Sequence, residues 1–369
     1  MKYKIFKKQK FFFLLFFVLI FCIQNLIIKN LFFQLFSKRK RVGVINLPNF
    51  QNVGCILVKF AMFKKLEEFG FNSTIISPRL RIPGDISFMI RTMNSHILEV
   101  SENFTELNEE DFDYLIVNSD QTWGFYSRKF FYNVALLKFA ENWKVNKFIY
   151  AASMGRYHWF YKKKDEELFK KLLKNFTGIS FREKGTVELL EKHLNLKSVF
   201  VLDPTLLIDK QLYLNEIKNY KPNFDSNEKF IFVYQLDKNP ILKKIIKEAS
   251  EKFNFKVYKH KLSKSDYIES FLFGINNCQA VIADSYHGTI FSIIFNKPFI
   301  SFSNQKRGKA RFDSLKEIFN LEKRIIEPSG YSNININLLL EPLNINQTIF
   351  NKYKAFSINY LKYNLDLFH

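Results

Sequence analysis

Cysteine is scarce in this chain of 369 residues, which contains only Cys22, Cys55 and Cys278. None of the three belongs to a CxxC pair, and their positions show no pairing pattern. This scarcity excludes a disulfide framework and a zinc site built on cysteine, and we predict no metal centre. Unpaired, reduced cysteines fit a protein body that faces the cytoplasm.

Acidic residues are absent from residues 1–41, which hold ten Lys or Arg. The uncharged run Phe11–Ile28 would be about 27 Å long as a helix, which just reaches across a bilayer core. No small-residue cleavage site follows the run, so we expect residues 1–40 to remain as a membrane segment. Both flanks are basic, which leaves the topology open, and a helix lying in the membrane interface is the alternative to a transmembrane helix.

The rest of the chain is also basic, with 46 basic and 35 acidic residues after residue 41, a net charge of +11. Such a surplus suits anionic substrates or an anionic membrane surface. The interleaved aromatic and basic motifs of nucleic-acid readers are missing, so we expect no nucleic-acid partner. The predicted location is a membrane, with the folded body on the cytoplasmic side.

An alternation of apolar runs and amphipathic stretches begins at Arg41. Val42–Leu47 is typical of a buried strand, Gly54–Phe69 has helical spacing, and Ser73–Ser77 is again strand-like. A strand, helix and strand in this order require parallel pairing. The predicted fold class is therefore α/β, and the chain contains neither a GxGxxG motif nor a P-loop.

A polar stretch, Leu214–Lys229, has no apolar period and contains a proline, so we place a domain boundary there. A second α/β series follows it, with strands predicted at Phe230–Tyr234, Lys256–Lys259, Ala280–Ala283 and Phe299–Phe302, and a helix over Asn351–Leu361 closes the chain. We predict Rossmann-like domains at 41–220 and 221–369, which face each other across a cleft in a GT-B-like arrangement.

Polar or small residues follow six of the predicted strands, and in doubly wound sheets ligands bind beyond the carboxyl ends of strands. Two of these groups, at Ser119 and at Asp203, could equally be ordinary helix caps. The residues at the six strand ends are Asn52 and Gly54; Ser119, Asp120 and Gln121; Ser153; Arg182 and Glu183; Asp203; and Asp284, Ser285, His287 and Gly288.

His287 is the one histidine of six that stands at a strand-to-helix junction, with Asp284 and Ser285 beside it. An imidazole titrates near neutral pH and can give or accept a proton in catalysis. A structural hydrogen bond is the simpler explanation for a single histidine, but this context favours a functional role.

Several short motifs stand in an order that resembles the polysaccharide pyruvyl transferase family over roughly residues 41–320. The most distinctive is DSYHGTIFSIIFNKPFI at Asp284–Ile300. This sequence departs from the family pattern at two positions. The element Asn52-Val53-Gly54 has Val53 where the family has an aromatic residue, and Asn118, directly before Ser119, stands where the family has glycine. The other motifs are SDQTW (Ser119–Trp123), AASMG (Ala151–Gly155), SFRE (Ser180–Glu183), LDPT (Leu202–Thr205) and RGKARF (Arg307–Phe312).

The resemblance implies a transferase that moves pyruvate from phosphoenolpyruvate to a sugar of a cell-surface glycan, giving a ketal, with no further cofactor. The acceptor would be a glycan or a lipid-linked saccharide. The implied catalytic residues are His287, Asp284 and Arg182. The implied substrate-binding residues are Asn52, Gly54, Ser119, Asp120, Gln121, Ser153, Glu183, Ser285, Gly288, Lys297, Arg307 and Arg311, the arginines serving to bind anionic groups.

Two other functions remain open at this stage. The same architecture could carry a glycosyltransferase that uses a nucleotide sugar, although no nucleobase pocket or ribose-binding carboxylate is identifiable. The chain could also be a basic, membrane-anchored binding protein without enzymatic activity. Neither alternative accounts for the ordered set of motifs.

Overall fold

A computed structural model describes residues 39–48, 52–78, 87–93, 96–124, 128–222, 224–225, 227–261, 266–303, 308–327 and 334–368. Arg41–His369 forms one compact unit of the chain. Nearly all of the predicted membrane segment, residues 1–38, lies outside the described residues. Within the described residues, no helix combines the length and the apolar character needed to cross a membrane.

The compact unit begins with a five-stranded parallel sheet of order β3-β2-β1-β4-β5. The strand order reverses between β1 and β4, which opens a crevice at their carboxyl ends. All four residues of β4 are buried, as expected of a parallel strand covered on both faces. The elements are β1 (Arg41–Ile45), α1 (Val53–Glu68), β2 (Asn72–Pro78), α2 (Ser87–Met93), β3 (Ile97–Val100), β4 (Tyr114–Val117), α3 (Arg128–Leu136) and β5 (Asn146–Ile149).

A small two-stranded parallel sheet continues the first sheet beyond β5 through bridges at Phe148–Gly178 and Ala152–Phe181. The segment consists of α4 (Lys163–Leu173), β6 (Ser180–Phe181), α5 (Lys184–Leu194), β7 (Val199–Phe200) and α6 (Lys210–Ile217). Helix α6 enters the stretch that the sequence indicated to be an irregular linker. Tyr213 and Ile217 are buried, so burial against the core accounts for a helix that polar composition concealed.

The second sheet is also five-stranded and parallel, with the order β12-β11-β10-β8-β9. Its order reverses between β8 and β10, so it has its own crevice at the carboxyl ends of these strands. The elements are β8 (Phe230–Tyr234), α7 (Pro240–Phe253), β9 (Lys256–Lys259), α8 (Tyr267–Asn277), β10 (Ala280–Ala283), α9 (Tyr286–Ile294), β11 (Phe299–Phe302), α10 (Lys309–Phe319), β12 (Ile325–Ile326) and α11 (Gln347–Asn364).

The closing helix α11 is longer than predicted and packs on the first part of the fold. The Tyr360 hydroxyl donates to the Ile149 carbonyl oxygen at 2.9 Å, and the Leu202 amide donates to the Ser357 hydroxyl at 2.9 Å. The chain therefore returns from the second sheet to the edge of the first, which ties the two sheets together at their sides.

A continuous apolar cluster joins the two sheets beneath their facing crevices. Within it, the Tyr213 ring lies 5.8 Å from the Phe60 ring of α1 and 5.0 Å from the Phe291 ring of α9. Each such aromatic pair contributes about 0.5–1.5 kcal/mol beyond its area burial. The crevices of both sheets are thereby held on the same side of one core.

His260 follows β9 and is enclosed by aromatic rings of the second sheet. Its ring centroid lies 5.9 Å from that of Phe232, 5.3 Å from that of Tyr234 and 5.7 Å from that of Phe271. This burial lowers the pKa of His260 to about 4, because the charged imidazolium is poorly solvated there. In the unfolded chain the pKa returns to about 6.5.

We expect His260 to make the fold sensitive to acid. Because its folded pKa is depressed, its contribution is complete above pH 6.5 and is lost as the pH falls from about 6.5 to about 4, by about 3 kcal/mol in total. The free energy of unfolding in urea should therefore fall less between pH 6.5 and pH 4 in His260→Gln than in the parent protein. Parallel pH curves for the two proteins would contradict the assignment.

Candidate functional site

A small cavity of about 180 Å³ lies where the two crevices face each other. Residues that follow β1 and β4 form one wall, and residues that follow β8 and β10 form the other. The cavity is therefore bounded by the switch points of both sheets, where doubly wound folds bind ligands. Its lining consists of Asn52, Cys55, Asp120, Gln121, Leu236, Asp284, Ser285, Tyr286, His287 and Arg311.

Two helices begin at this cavity. The Asn52 side chain caps α1 by accepting from the Gly54 amide at 2.9 Å, and the Ser285 hydroxyl caps α9 by accepting from the Gly288 amide at 3.4 Å. Neither helix has an acidic residue in its first turn. Helix N-termini carry partial positive charge and free amide donors, so the cavity is suited to an anionic group.

Gly54 and His287 bring the two walls into contact. A Cβ atom on Gly54 would lie 1.9 Å from His287 Nδ1, so only glycine leaves room for the imidazole there. The signal in the sequence was the glycine two residues after the α1 cap. Gly288 has a packing role, since its Cβ would lie 2.8 Å from the Ala283 Cβ atom of β10.

Asp203 joins Arg182 to His287 below the cavity. Asp203 Oδ2 accepts a hydrogen bond from Arg182 Nη1, and it lies 3.7 Å from His287 Nε2. Asp203 Oδ1 accepts from the amide and the hydroxyl of Thr205 at 3.0 and 2.7 Å, so the residue is also the helix cap that its sequence indicated. Ser119 completes the group by accepting from Arg182 Nη1 at 3.0 Å.

The pKa values of these buried groups follow from their partners. Burial alone would raise the pKa of Asp203, but the Arg182 guanidinium and His287 hold that pKa far below its ordinary range. Burial lowers the pKa of His287, and Asp203 opposes this only in part. Asp203 is therefore charged and His287 is neutral near pH 7 in the ligand-free protein.

Two guanidinium groups flank the Tyr286 ring. The central carbon atoms of Arg182 and Arg311 each lie 4.9 Å from its centroid. Burial, together with the charge of Arg182, lowers the pKa of Arg311 to about 10, so it remains positively charged. Arg182 Nε and Nη2 are buried and find no hydrogen-bond partner among the described residues. Such unmet donors are costly and mark a place where a ligand could bind.

Asp120 and Cys55 lie together on the first wall. Asp120 Oδ2 accepts from Cys55 Sγ at 2.6 Å, and Oδ1 accepts from the Gln121 amide at 2.7 Å. Asp120 has a φ of +136°, a strained conformation that often occurs at functional sites. One turn beyond Cys55, Lys59 is buried and donates to the Leu47 carbonyl oxygen at 2.9 Å.

Sequence reasoning missed Cys55, Lys59, Leu236 and Tyr286 as residues of this region. The available signals were the four-residue spacing of Cys55 and Lys59 on α1 and the place of Tyr286 inside the DSYHG motif. Asp203 stood in a recognised motif but was left out of the candidate set, because its capping role was already a sufficient local explanation.

Ser153 and Glu183 lie beside the site and not on the cavity wall. The Glu183 carboxylate accepts from the Ser153 hydroxyl and from the amides of Met154 and Gly155, both at 3.0 Å. It thereby holds the loop that follows β5. Gly155 in turn approaches Gln121, since a Cβ atom there would lie 2.3 Å from Gln121 Nε2. Both predicted substrate-binding residues, Ser153 and Glu183, therefore contact the loop after β5 and not the cavity itself.

Three other predicted site residues, Asp284, Lys297 and Arg307, differ in where they lie. Asp284 lines the cavity, but its carboxylate accepts from the amides of Leu236 and Asp237 at 2.7 and 2.9 Å, so its observed role is to hold the loop after β8. The prediction for Lys297 needs correction. Lys297 donates to the Cys278 carbonyl oxygen at the amino ends of β10 and β11, whereas the cavity lies at the carboxyl ends of the strands. Arg307 lies outside the described residues.

The described residues contain no group of three or more His, Cys, Asp or Glu side chains that could hold a metal ion. The functional groups that line the cavity are instead an imidazole, a guanidinium, two carboxylates, a thiol and two helix N-termini. This set can bind a small anion and transfer a proton beside it.

Two solved structures are similar in fold. A putative UDP-N-acetylglucosamine 2-epimerase from Listeria monocytogenes superposes with a TM-score of 0.53 at 9% identity, covering 88% of this chain and 95% of that one. Anabaena HepE in complex with UDP and glucose gives 0.50 at 9% identity, with coverages of 87% and 95%. At this identity the likeness concerns the fold alone, and it supports the predicted GT-B-like α/β arrangement.

No curated protein matches the sequence significantly. The sequence profile of the family described as polysaccharide pyruvyl transferase, however, matches residues 52–306, well over half of the chain. This range contains the cap of α1, the Arg182, Asp203 and His287 group, and the start of α9. The chain therefore belongs to the polysaccharide pyruvyl transferase family and is an enzyme, a transferase.

Proposed function

We propose that this enzyme transfers the pyruvyl group of phosphoenolpyruvate to a sugar of a cell-surface glycan, forming a ketal across two hydroxyl groups. The observation that carries the proposal is the character of the cavity. It is small, at about 180 Å³, and two helix N-termini, Arg311 and His287 converge on it. A site of this size and polarity matches a compact anion better than a drug-sized ligand, which needs roughly 300–1,000 Å³.

The charges divide between the two anionic groups of the donor. The N-termini of α1 and α9 bind one of them through amide donors, and Arg311 pairs with the other. Arg182 lies behind Tyr286 and keeps unmet donors at Nε and Nη2. Its charge is balanced by Asp203, so Arg182 offers hydrogen-bond donors rather than net positive potential.

The reaction requires two proton movements. Protonation of the methylene carbon makes the neighbouring carbon electrophilic, and two sugar hydroxyls add to that carbon as phosphate leaves. The two sugar hydroxyls lose two protons in all, while the new methyl group gains one proton and the released phosphate gains the other. His287 is neutral in the ligand-free site, so in this mechanism it accepts a hydroxyl proton, and Asp203 stabilises the imidazolium that forms.

Donor binding can be measured without an acceptor. At a concentration a hundred times its dissociation constant, phosphoenolpyruvate should stabilise the folded protein by about 2.7 kcal/mol, seen as a raised melting temperature. It should also slow iodoacetamide labelling of Cys55, which lines the cavity. Cys278 is an internal control, because burial raises its pKa to about 12 and keeps its thiol protonated.

UDP-glucose serves as the competing ligand in both measurements. Protection of Cys55 by UDP-glucose and not by phosphoenolpyruvate would favour a nucleotide-sugar glycosyltransferase over the proposed reaction. Peptide mass spectrometry distinguishes Cys55 from the other cysteines, and a Cys55→Ser variant confirms which signal is lost.

The proposal also includes attachment to a membrane through residues 1–40, with the catalytic body on the cytoplasmic side. Its support is the uncharged run Phe11–Ile28 between two basic flanks. The full-length protein should stay with membranes in high salt, because salt screens charges but does not weaken apolar insertion. Release by salt alone would show that the attachment is only electrostatic.

A further inference from the structure

Exposed apolar side chains are concentrated at the C-terminal helix. Ten large apolar residues are exposed in the described part of the chain, and half of them lie within residues 349–368. Single exposed apolar residues are normal on a protein surface, but a contiguous patch indicates an interaction site. The five residues, here called the α11 face, are Ile349, Phe356, Tyr363, Leu367 and Phe368, exposed by 39, 47, 70, 38 and 58%.

The fold fixes the direction of this face. Ile349, Phe356 and Tyr363 are seven residues apart, so they lie on one side of the helix. The helix is anchored by Ser357, which accepts from the Leu202 amide, and by Tyr360, which donates to the Ile149 carbonyl oxygen. The exposed side chains therefore cannot turn into the core without breaking buried hydrogen bonds.

An apolar groove of about 690 Å³ runs beside the α11 face. Its walls come from α5, β7 and α11. Its lining consists of Lys184, Val187, Glu188, Ser198, Val199, Phe200, Ile349, Lys352, Tyr353 and Phe356. The groove widens the apolar surface from a narrow stripe to a broad area.

The charge of the helix indicates which partner suits this surface. Helix α11 contains Lys352, Lys354 and Lys362 and no acidic residue. Lys352 is exposed and lies one helical turn before Phe356, on the same side of the helix. Tyrosine, phenylalanine and lysine on one helix face are typical of helices that lie at the surface of an anionic bilayer.

The position of the helix end agrees with a membrane partner. Asp366, just after α11, accepts from the Tyr114 hydroxyl at 3.0 Å and from the Asn146 side chain at 3.2 Å. Arg41, where the chain enters β1, donates its amide to Asp113 at 2.6 Å. The chain thus enters the first sheet at the amino-terminal ends of its strands, where α11 also ends, directly after the basic, apolar segment predicted to bind a membrane.

We propose that the α11 face docks on an anionic lipid bilayer, as a second membrane contact that is independent of residues 1–40. The proposal does not depend on which reaction the cavity catalyses. Docking would bury Phe356 and its neighbours among lipid head groups, while Lys352 pairs with an anionic phosphate.

The test uses the chain from residue 39 onward, because Arg41–His369 is a compact unit that contains its own sheets and apolar clusters. This protein should co-sediment with vesicles of equal parts phosphatidylglycerol and phosphatidylcholine, and less with phosphatidylcholine alone. Phe356→Asp should weaken binding about tenfold or more, since burying a phenylalanine contributes about 1.5–3 kcal/mol.

Ile241→Asp is the matched control, because Ile241 is 40% exposed on α7, away from the α11 face, and acquires the same charge. It should bind vesicles almost as the parent does. If Phe356→Asp does not fold, Tyr363→Ser replaces it, since Tyr363 is the most exposed residue of the face.

Three results would overturn the proposal. One is equal vesicle binding by Phe356→Asp and the parent, and another is no binding by the parent. The third is a parent dimer in light scattering that Phe356→Asp converts to a monomer without changing vesicle binding. That result would make the α11 face a contact between two copies of the chain.

Discussion

Replacing His287 by glutamine is expected to lower turnover about 10²–10⁴-fold and to leave the melting temperature nearly unchanged. Glutamine retains a hydrogen-bonding side chain next to Asp203 but cannot accept and release a proton at neutral pH. The imidazole is buried and neutral in the free protein, because burial lowers its pKa. It is thus in the form that accepts a proton from a sugar hydroxyl.

The pH dependence of kcat/KM gives a second measurement for the same residue. If neutral His287 is required, activity should hold down to a pH below 6.5 and then decline as the imidazole becomes protonated. This acid limb should be absent from the residual activity of His287→Gln. Near-normal turnover in His287→Gln, together with unfolding of His287→Ala, would identify the histidine as structural.

Gly54→Ala probes the same geometry from the opposite wall. A methyl group would lie 1.9 Å from His287 Nδ1, so the imidazole must move away from it. Turnover should therefore fall although no ionisable group has been removed. Gly185→Ala is the matched control, since nothing lies within 4 Å of a Cβ atom at that glycine.

Removal of the Asp203 carboxylate is expected to have the largest effect on stability. Asp203→Ala leaves the Arg182 guanidinium buried without its ion-pair partner, and loss of one partner of a buried pair typically costs about 3–5 kcal/mol. Arg182→Ala should destabilise the fold for the reciprocal reason.

The measurement is the free energy of unfolding in urea for both single variants and for Arg182→Met with Asp203→Leu. The double variant should lose much less than the sum of the single losses, because no charge is left unpaired. Lys184→Ala is the control, since its ion pair with Glu317 is solvent-exposed and should contribute at most about 1 kcal/mol. Additive losses in the double variant would contradict a coupled pair.

In the second half of the fold, the local sequence pattern predicted some secondary-structure elements and missed others. Strands β8, β9, β10 and β11 have the bounds predicted for them. These strands are bordered by polar or turn residues, and in β8, β10 and β11 every residue is buried, so a simple apolar run was a sufficient signal. Elements of mixed composition, such as α2, α6 and α10, were not predicted, because tertiary contacts decide which of their faces is buried.

The candidate site divides in the same way. The sequence alone determined the α/β class, the parallel strands, the family and the strand ends that carry Asn52, Asp120 and His287, since these depend on local runs and short motifs. Only the tertiary structure decided that Asp203 serves Arg182 and His287 together, that Lys297 lies at the opposite edge of its sheet, and that Gly54 makes room for the imidazole. The physical reason is that a helix cap, a lysine in a turn and a glycine at the start of a helix each have a sufficient local explanation. Their distant partners come into contact with them only when the chain packs.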